Sequence, residues 1–289
     1  MRRVAYCLVV TLLGLSCTLS NAATSPPPPT AAPPGTQTAS PTVLAPTAAL
    51  ATATRAIVTP RPTETGTPLP TATPPAPTAT PALAPQTIKI MPLGDSITFG
   101  TPDLSYGGYR HLLGTLLGSD GYHIDFVGSQ RSGTGVIPDP DNEGHYGWNI
   151  TQIRAGIDSK GWLEAYQPDL ILLHIGTNDM HQPDPASAPG KLSALLDDIL
   201  GRLPRTKVIV AQIIPFRTGA DPAHQSYNAA LPGIVASKGP RVTLVDMQTI
   251  LTAADYADRL HPNASGYDKM ARAWEPAIRA VISSNGSQP

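Results

Sequence analysis

The chain has 289 residues and a formal net charge of -1 at pH 7, with 20 Lys and Arg set against 21 Asp and Glu. No basic stripe or Lys/Arg block interrupts that balance, which argues against nucleic acid as a partner and gives nothing to favour an anionic membrane surface. Seventeen of the 33 prolines fall within residues 24–85, so composition divides the molecule before any motif is read.

Residues 1–23 open with Arg2 and Arg3, continue through an apolar stretch from Val4 to about Leu15, and end in small residues. This is the layout of a secretory signal peptide, with Ser20, Asn21 and Ala22 suiting cleavage after Ala22. The apolar stretch is short for a membrane-spanning helix. A bacterial lipoprotein signal competes with this reading: Leu15, Ser16 and Cys17 resemble the end of a lipobox, although Gly14 stands where that motif usually has Leu. Both cysteines, Cys7 and Cys17, lie in this leader, so no disulfide is expected beyond it.

Residues 24–85 hold seventeen Pro, sixteen Thr and fourteen Ala with no hydrophobic period. Such a segment cannot bury enough apolar surface to offset its ordering entropy. It should behave as a stiff spacer biased to polyproline II, reaching roughly 100 Å or more at ~3 Å per residue. Holding the following domain away from a surface, with attachment through the N-terminus, is one use; a tail with no positional role is the other.

Residues 86–289 read as one domain. Apolar runs rich in Ile, Val and Leu at residues 88–93, 123–127, 169–175, 207–213 and 241–245 have the length and polar ends of buried strands. Helical periods at 109–117, 150–157, 188–203, 223–237 and 264–283 separate them. The alternation predicts an α/β fold with five mostly parallel strands covered by helices on both faces, in an order the sequence does not reveal. Ligand sites in such sheets gather beyond the carboxyl ends of the strands. Gly94, Asp95 and Ser96 follow the first run, and Gly176, Thr177, Asn178 and Asp179 follow the third.

A serine hydroxyl becomes a useful nucleophile only beside a base that a third group orients. Ser96 is placed to stand at the rim, although a helix N-cap is the plainer account of the tripeptide taken alone. Asp258 and His261, three positions apart just before the last helical period, can form the orienting pair; a local Asp/His contact is the plainer account of that motif alone. Gly147 and Ser96 offer backbone N–H groups and Asn178 a side-chain amide for an oxyanion.

Gly94-Asp95-Ser96-Ile97-Thr98, Gly147, Gly176-Thr177-Asn178-Asp179 and Asp258-Arg259-Leu260-His261, in that order, resemble the four blocks of the SGNH (GDSL) hydrolase superfamily. The resemblance implies a flavodoxin-like three-layer α/β/α sandwich. It implies Ser96 as nucleophile, His261 as base and Asp258 as its acid, with Ser96, Gly147 and Asn178 as oxyanion donors. Met91 to Ser96, Gly107 to Arg110, Asp125 to Ser129, Glu143 to Trp148 and His261-Pro262-Asn263 are similar to carbohydrate esterase family 3, which implies an acetylxylan esterase. Tyr146 departs from that likeness, since a small residue is expected there.

Other polar residues have plainer expectations. Asp95 should brace its loop through backbone N–H groups; His174 should be a satisfied core histidine; Asp179 should cap the segment after Asn178. His145 and Trp148 are candidate substrate contacts, with packing the alternative for Trp148. Asp139, Asp141 and Glu143 are spaced like part of a calcium loop but lack its glycine and terminal acid, so a solvated loop and no metal are expected. No cofactor is expected; the anticipated partner is an acetylated polysaccharide or small acetyl ester, and the sequence leaves the oligomeric state open, with a monomer favoured. A lysophospholipase or thioesterase on the same machinery, and a noncatalytic carbohydrate-binding module, are the rival readings.

Overall fold

The computed structural model describes residues 86–284; the signal peptide, lipobox and spacer lie outside the described residues. In chain order the elements are β1 (Ile88–Gly94), α1 (Ser96–Phe99), α2 (Arg110–Ser119), β2 (Ile124–Phe126), β3 (Gln130–Arg131), β4 (Asp141–Gly144), α3 (Ile150–Lys160), α4 (Trp162–Tyr166), β5 (Leu170–His174), α5 (Ala188–Arg202), β6 (Lys207–Ala211), α6 (Pro222–Ser237), β7 (Val242–Val245) and α7 (Ala264–Ser283). All five expected strands and all five expected helices are present. The additions are α1, α4, β3 and β4, each five residues or fewer and too short to show a period.

Parallel pairing runs β1 to β5 to β6 to β7. The other edge of β1 is divided between two short strands. Ile88 to Ile90 pair with β2, and Leu93 and Gly94 pair with Glu143 and Gly144 of β4. The sheet therefore has seven strands where five were expected. Its extra pair, β3 against β4, is antiparallel.

Side chains alternate across the sheet as the pleat demands. From β5, Ile171 and Leu173 enter a core with Ile150 and Ile153 of α3, Leu192, Leu195 and Ile199 of α5, and Tyr227 and Leu231 of α6. Leu170 and Leu172 enter the opposite core with Leu113 and Leu117 of α2 and Met270, Trp274 and Ile278 of α7. Two cores flanking one sheet make a three-layer α/β/α sandwich. The helix starts are written locally: Asn149 and Gln152 form a capping box on α3, Asp221 caps α6 ahead of Pro222, and Asn263 caps α7.

At the carboxyl ends of β1 and β5 the core turns polar. Gly94 lies opposite His174, and a Cβ on Gly94 would sit 2.1 Å from the His174 carbonyl oxygen and 2.5 Å from Thr98 Oγ1. Only glycine permits that approach. His174 is fully buried, but neither ring nitrogen has a hydrogen-bond partner. It is a core histidine and not a satisfied one, and burial holds it neutral by lowering its pKa to about 4. Asp95 braces its turn as expected, accepting from the Ile97 amide at 3.0 Å. Burial nevertheless pushes its carboxyl up to about 7, against that hydrogen bond and with the nearby Asp179 adding to the rise.

Two outcomes follow for stability. Gly94→Ala should cost about 1–3 kcal/mol through overpacking, read as a fall in the melting temperature of roughly 2–4 °C per kcal/mol; an unaffected melting temperature would show that the strands can part. Asp95 binds its proton more tightly folded than unfolded, so its stabilising contribution is full below its ordinary 3.8 and is lost as pH rises through about 7. Asp95→Asn keeps the cap acceptor and removes the titration. Its melting temperature should therefore gain on that of the native protein between pH 5 and pH 8, whereas a constant difference across that range contradicts the assignment.

Candidate active site

Ser96 is the first residue of α1, immediately beyond β1, and its capping residue Asp95 turns the chain so that the hydroxyl meets the rim. Ser96 Oγ lies 2.9 Å from His261 Nε2, across 165 positions of sequence. His261 Nδ1 lies 2.8 Å from Asp258 Oδ2. The other carboxylate oxygen, Oδ1, accepts from the backbone amides of Leu260 and His261, both at 2.7 Å. Ser96 and His261 are buried; the Asp258 side chain is half exposed. Burial would raise the Asp258 pKa, but the His261 amide and ring and the Leu260 amide together hold it below the ordinary value. A carboxylate accepting from Nδ1–H leaves the Nε2 lone pair to face the hydroxyl, which is the tautomer a base requires.

The loop bearing Asp258 and His261 is fixed by a residue that sequence reading passed over. Asp255 accepts from the Thr252 amide and hydroxyl at 2.7 Å, the Ser265 hydroxyl at 3.0 Å and Lys269 Nζ at 2.6 Å. Its backbone oxygen accepts from Asn263. The loop also closes on itself through the Ala257 amide and the His261 carbonyl, 2.9 Å apart. The one local signal was Thr252 and Asp255 at capping-box spacing.

The oxyanion candidates converge on the same rim. Neither the Ser96 nor the Gly147 amide is taken up by a partner among the described residues. Gly147 has φ 76°, and a Cβ there would meet open space, so glycine serves conformation here and not close packing. Asn178 Nδ2 donates to the Trp148 carbonyl at 2.9 Å. That bond ties the end of β5 to the Gly147 loop and leaves the second amide hydrogen available.

The same loop is held from below by Glu143, expected in a solvated loop but fully buried in β4. Its carboxylate accepts from the Ser129 amide and hydroxyl, both at 2.7 Å, and pairs with His145 Nε2 at 2.6 Å. Nothing apolar marks Asp141–Gly144 as a strand, so pairing with β1 is what buries it. Asp139 is engaged too, its Oδ2 accepting from the Phe126 amide at 2.5 Å. Among the described residues no group of three or more His, Cys, Asp or Glu converges as a metal-binding set.

His145 and Trp148 stack with ring centroids 4.1 Å apart, and His145 stacks on Trp162 at 4.8 Å. With Lys160 and Tyr166 these rings line a cavity of about 420 Å³. Their side chains meet Glu143, Trp162 and each other; the structure joins neither side chain to the Ser96, His261 and Asp258 row. Asp179 caps a different segment from the one expected: its Oδ2 accepts from the amide of Ile150, the first residue of α3, at 3.0 Å. A cavity of about 450 Å³ adjoins the row and is lined by His181, Phe216, Asp258, Arg259, Leu260 and His261. A further cavity around Asp169 and Thr206 lies at the opposite ends of β5 and β6, away from this chemistry.

Comparison with known proteins agrees with the geometry. Residues 93–269 match the GDSL-like Lipase/Acylhydrolase family. A multidomain esterase of Ruminococcus flavefaciens is 32% identical over 231 residues, which are 70% of this chain and 30% of that protein; the chain thus spans under a third of that relative. The Clostridium thermocellum family 3 carbohydrate esterase structure is 39% identical, with a TM-score of 0.63 over 69% of this chain and 98% of that one. A carbohydrate esterase family 3 structure from Talaromyces cellulolyticus is 31% identical, with a TM-score of 0.60 over 68% and 99% of the two chains. With the family match covering most of the chain, the protein is a member of the GDSL-like lipase/acylhydrolase family, similar in sequence and fold to the family 3 carbohydrate esterases.

Proposed function

We propose that the protein is a secreted serine esterase that removes acetyl groups from an acetylated polysaccharide, with xylan as the first candidate. The observation that carries the catalytic part is the unbroken row Ser96 Oγ, His261 Nε2, His261 Nδ1, Asp258 Oδ2, with steps of 2.9 and 2.8 Å. In this reading Ser96 Oγ attacks the acetyl carbonyl while His261 Nε2 takes its proton. The oxyanion is met by the amides of Ser96 and Gly147 and by Asn178 Nδ2, one such donor being worth ~3 kcal/mol. Collapse breaks the ester bond, His261 hands its proton to the departing sugar oxygen, and acetyl-Ser96 remains. Water then attacks that acetyl group, giving its proton to His261, and acetate leaves as Ser96 recovers its proton.

The substrate part is supported by the likeness to family 3 carbohydrate esterases. Secretion rests on the leader at residues 1–23, and the Pro/Thr spacer suits an enzyme working on an insoluble polymer, whether free or held at a cell surface through Cys17. His145 and Trp148 serve the substrate through the loop they shape: they hold Gly147 in place from behind it.

The test is acetate release by the full chain from acetylated xylan, compared with other acetylated polysaccharides. Ser96→Ala should lower turnover by orders of magnitude; a modest loss would make Ser96 structural. On aryl esters, rates should fall from acetyl to octanoyl. The opposite trend would replace this reading with a lysophospholipase or thioesterase, and a native protein inert on all esters would leave a binding module.

A further inference from the structure

Tyr146 stands out on the Gly147 loop. The residue is 69% exposed, well beyond Leu104 and Val136, the other exposed large apolar residues among those described. Its neighbours explain why the ring does not fold inward. On one side, the His145 amide is bound to the Gly94 carbonyl at 2.9 Å, and its imidazole is bound to Glu143. On the other, Gly147 takes its left-handed turn and Trp148 is tied to Asn178. The backbone is anchored on both sides while the ring is left in solvent. That ring faces the His261 imidazole, with centroids 6.3 Å apart and planes inclined by 22°.

Position relative to His261 has a chemical meaning. The imidazole must deliver its proton to the oxygen of the departing alcohol, so the alcohol lies against His261 and the acyl carbonyl lies against the Ser96, Gly147 and Asn178 donors. A ring beside the imidazole is therefore on the alcohol side. The cavity bounded by Phe216, Arg259 and His261 gives the rest of a large alcohol room near the same imidazole.

We propose that Tyr146 is a specificity-determining residue for the leaving group, its ring stacking on the apolar face of the sugar that carries the scissile acetyl. The inference rests on the deacetylase reading above and adds to it which residue selects a sugar alcohol over a small one. Binding of this non-reacting part of the substrate is held through the step in which the ester bond breaks, so it appears in kcat/KM. The solvent-exposed ring should cost the fold little when removed.

The experiment compares the full-length native protein, Tyr146→Ala and Tyr146→Trp on two acetates: an acetylated xylo-oligosaccharide and ethyl acetate, whose alcohol is too small to stack. The ratio of kcat/KM for the oligosaccharide to that for ethyl acetate should fall about tenfold in Tyr146→Ala, the scale of burying one face of a ring, and should recover in Tyr146→Trp. An unchanged ratio in Tyr146→Ala, with the native protein active on both, overturns the assignment alone. A native protein that hydrolyses ethyl acetate but releases nothing from acetylated oligosaccharides overturns the deacetylase reading and this assignment together.

Discussion

The parallel pairing of β1 with β5 is the constraint from which the site follows. Because Leu93 lies opposite Leu173 and Gly94 opposite His174, the two strands end at one level. The segments beyond them, with Ser96 and Asn178, emerge side by side. β4 joins the other edge of β1 with Gly144 opposite Gly94, which brings the Gly147 loop to the same rim. One residue, Gly94, is thus flanked by both neighbours, and the approach of the His174 carbonyl leaves it no space for a side chain. Three of the four site segments are registered by backbone hydrogen bonds before any side chain of the site is considered.

The fourth segment comes from outside the sheet, and its placement is electrostatic. Asp255 gathers a lysine, two hydroxyls and a backbone amide around one carboxylate. The burial of that carboxylate would raise its pKa, and these donors lower it well below the ordinary range. The loop so anchored presents His261 to Ser96. Close by, three other acids meet three other fates. Asp258 is half exposed and held ionised by hydrogen bonds; Asp95 is buried and pushed up to about 7; Glu143 is buried with its oxygens taken by Ser129 and His145. Environment, not residue type, separates the acid that orients the imidazole from those that hold the scaffold.

Much of this was legible along the chain because it is local. The apolar runs of β1, β5 and β6 and the helical periods of α5, α6 and α7 declare themselves over a few residues. Asp258 and His261 stand close enough in sequence for their contact to be inferred from spacing, and the ordered motifs carried the family likeness. Where sequence reading missed, the deciding neighbour was distant. Asp141–Gly144 has no strand-like composition, and Glu143 is buried only because β4 pairs with β1. Asp179 meets Ile150, 29 positions away. His174 lies in an apolar run as expected, yet only the packing around it shows that no partner reaches its nitrogens.

The sequence by itself determined the layers, the strand and helix inventory to within the shortest elements, and the chemical types arrayed at the rim, because periodicity and capping are written within a turn or two of chain. Tertiary structure alone decided strand order, the division of one edge of β1 between two partners, the meeting of a hydroxyl with an imidazole 165 positions away, and the outward stance of Tyr146. Each of those depends on which distant surfaces exclude water together, and burial of that kind is a property of the assembled chain.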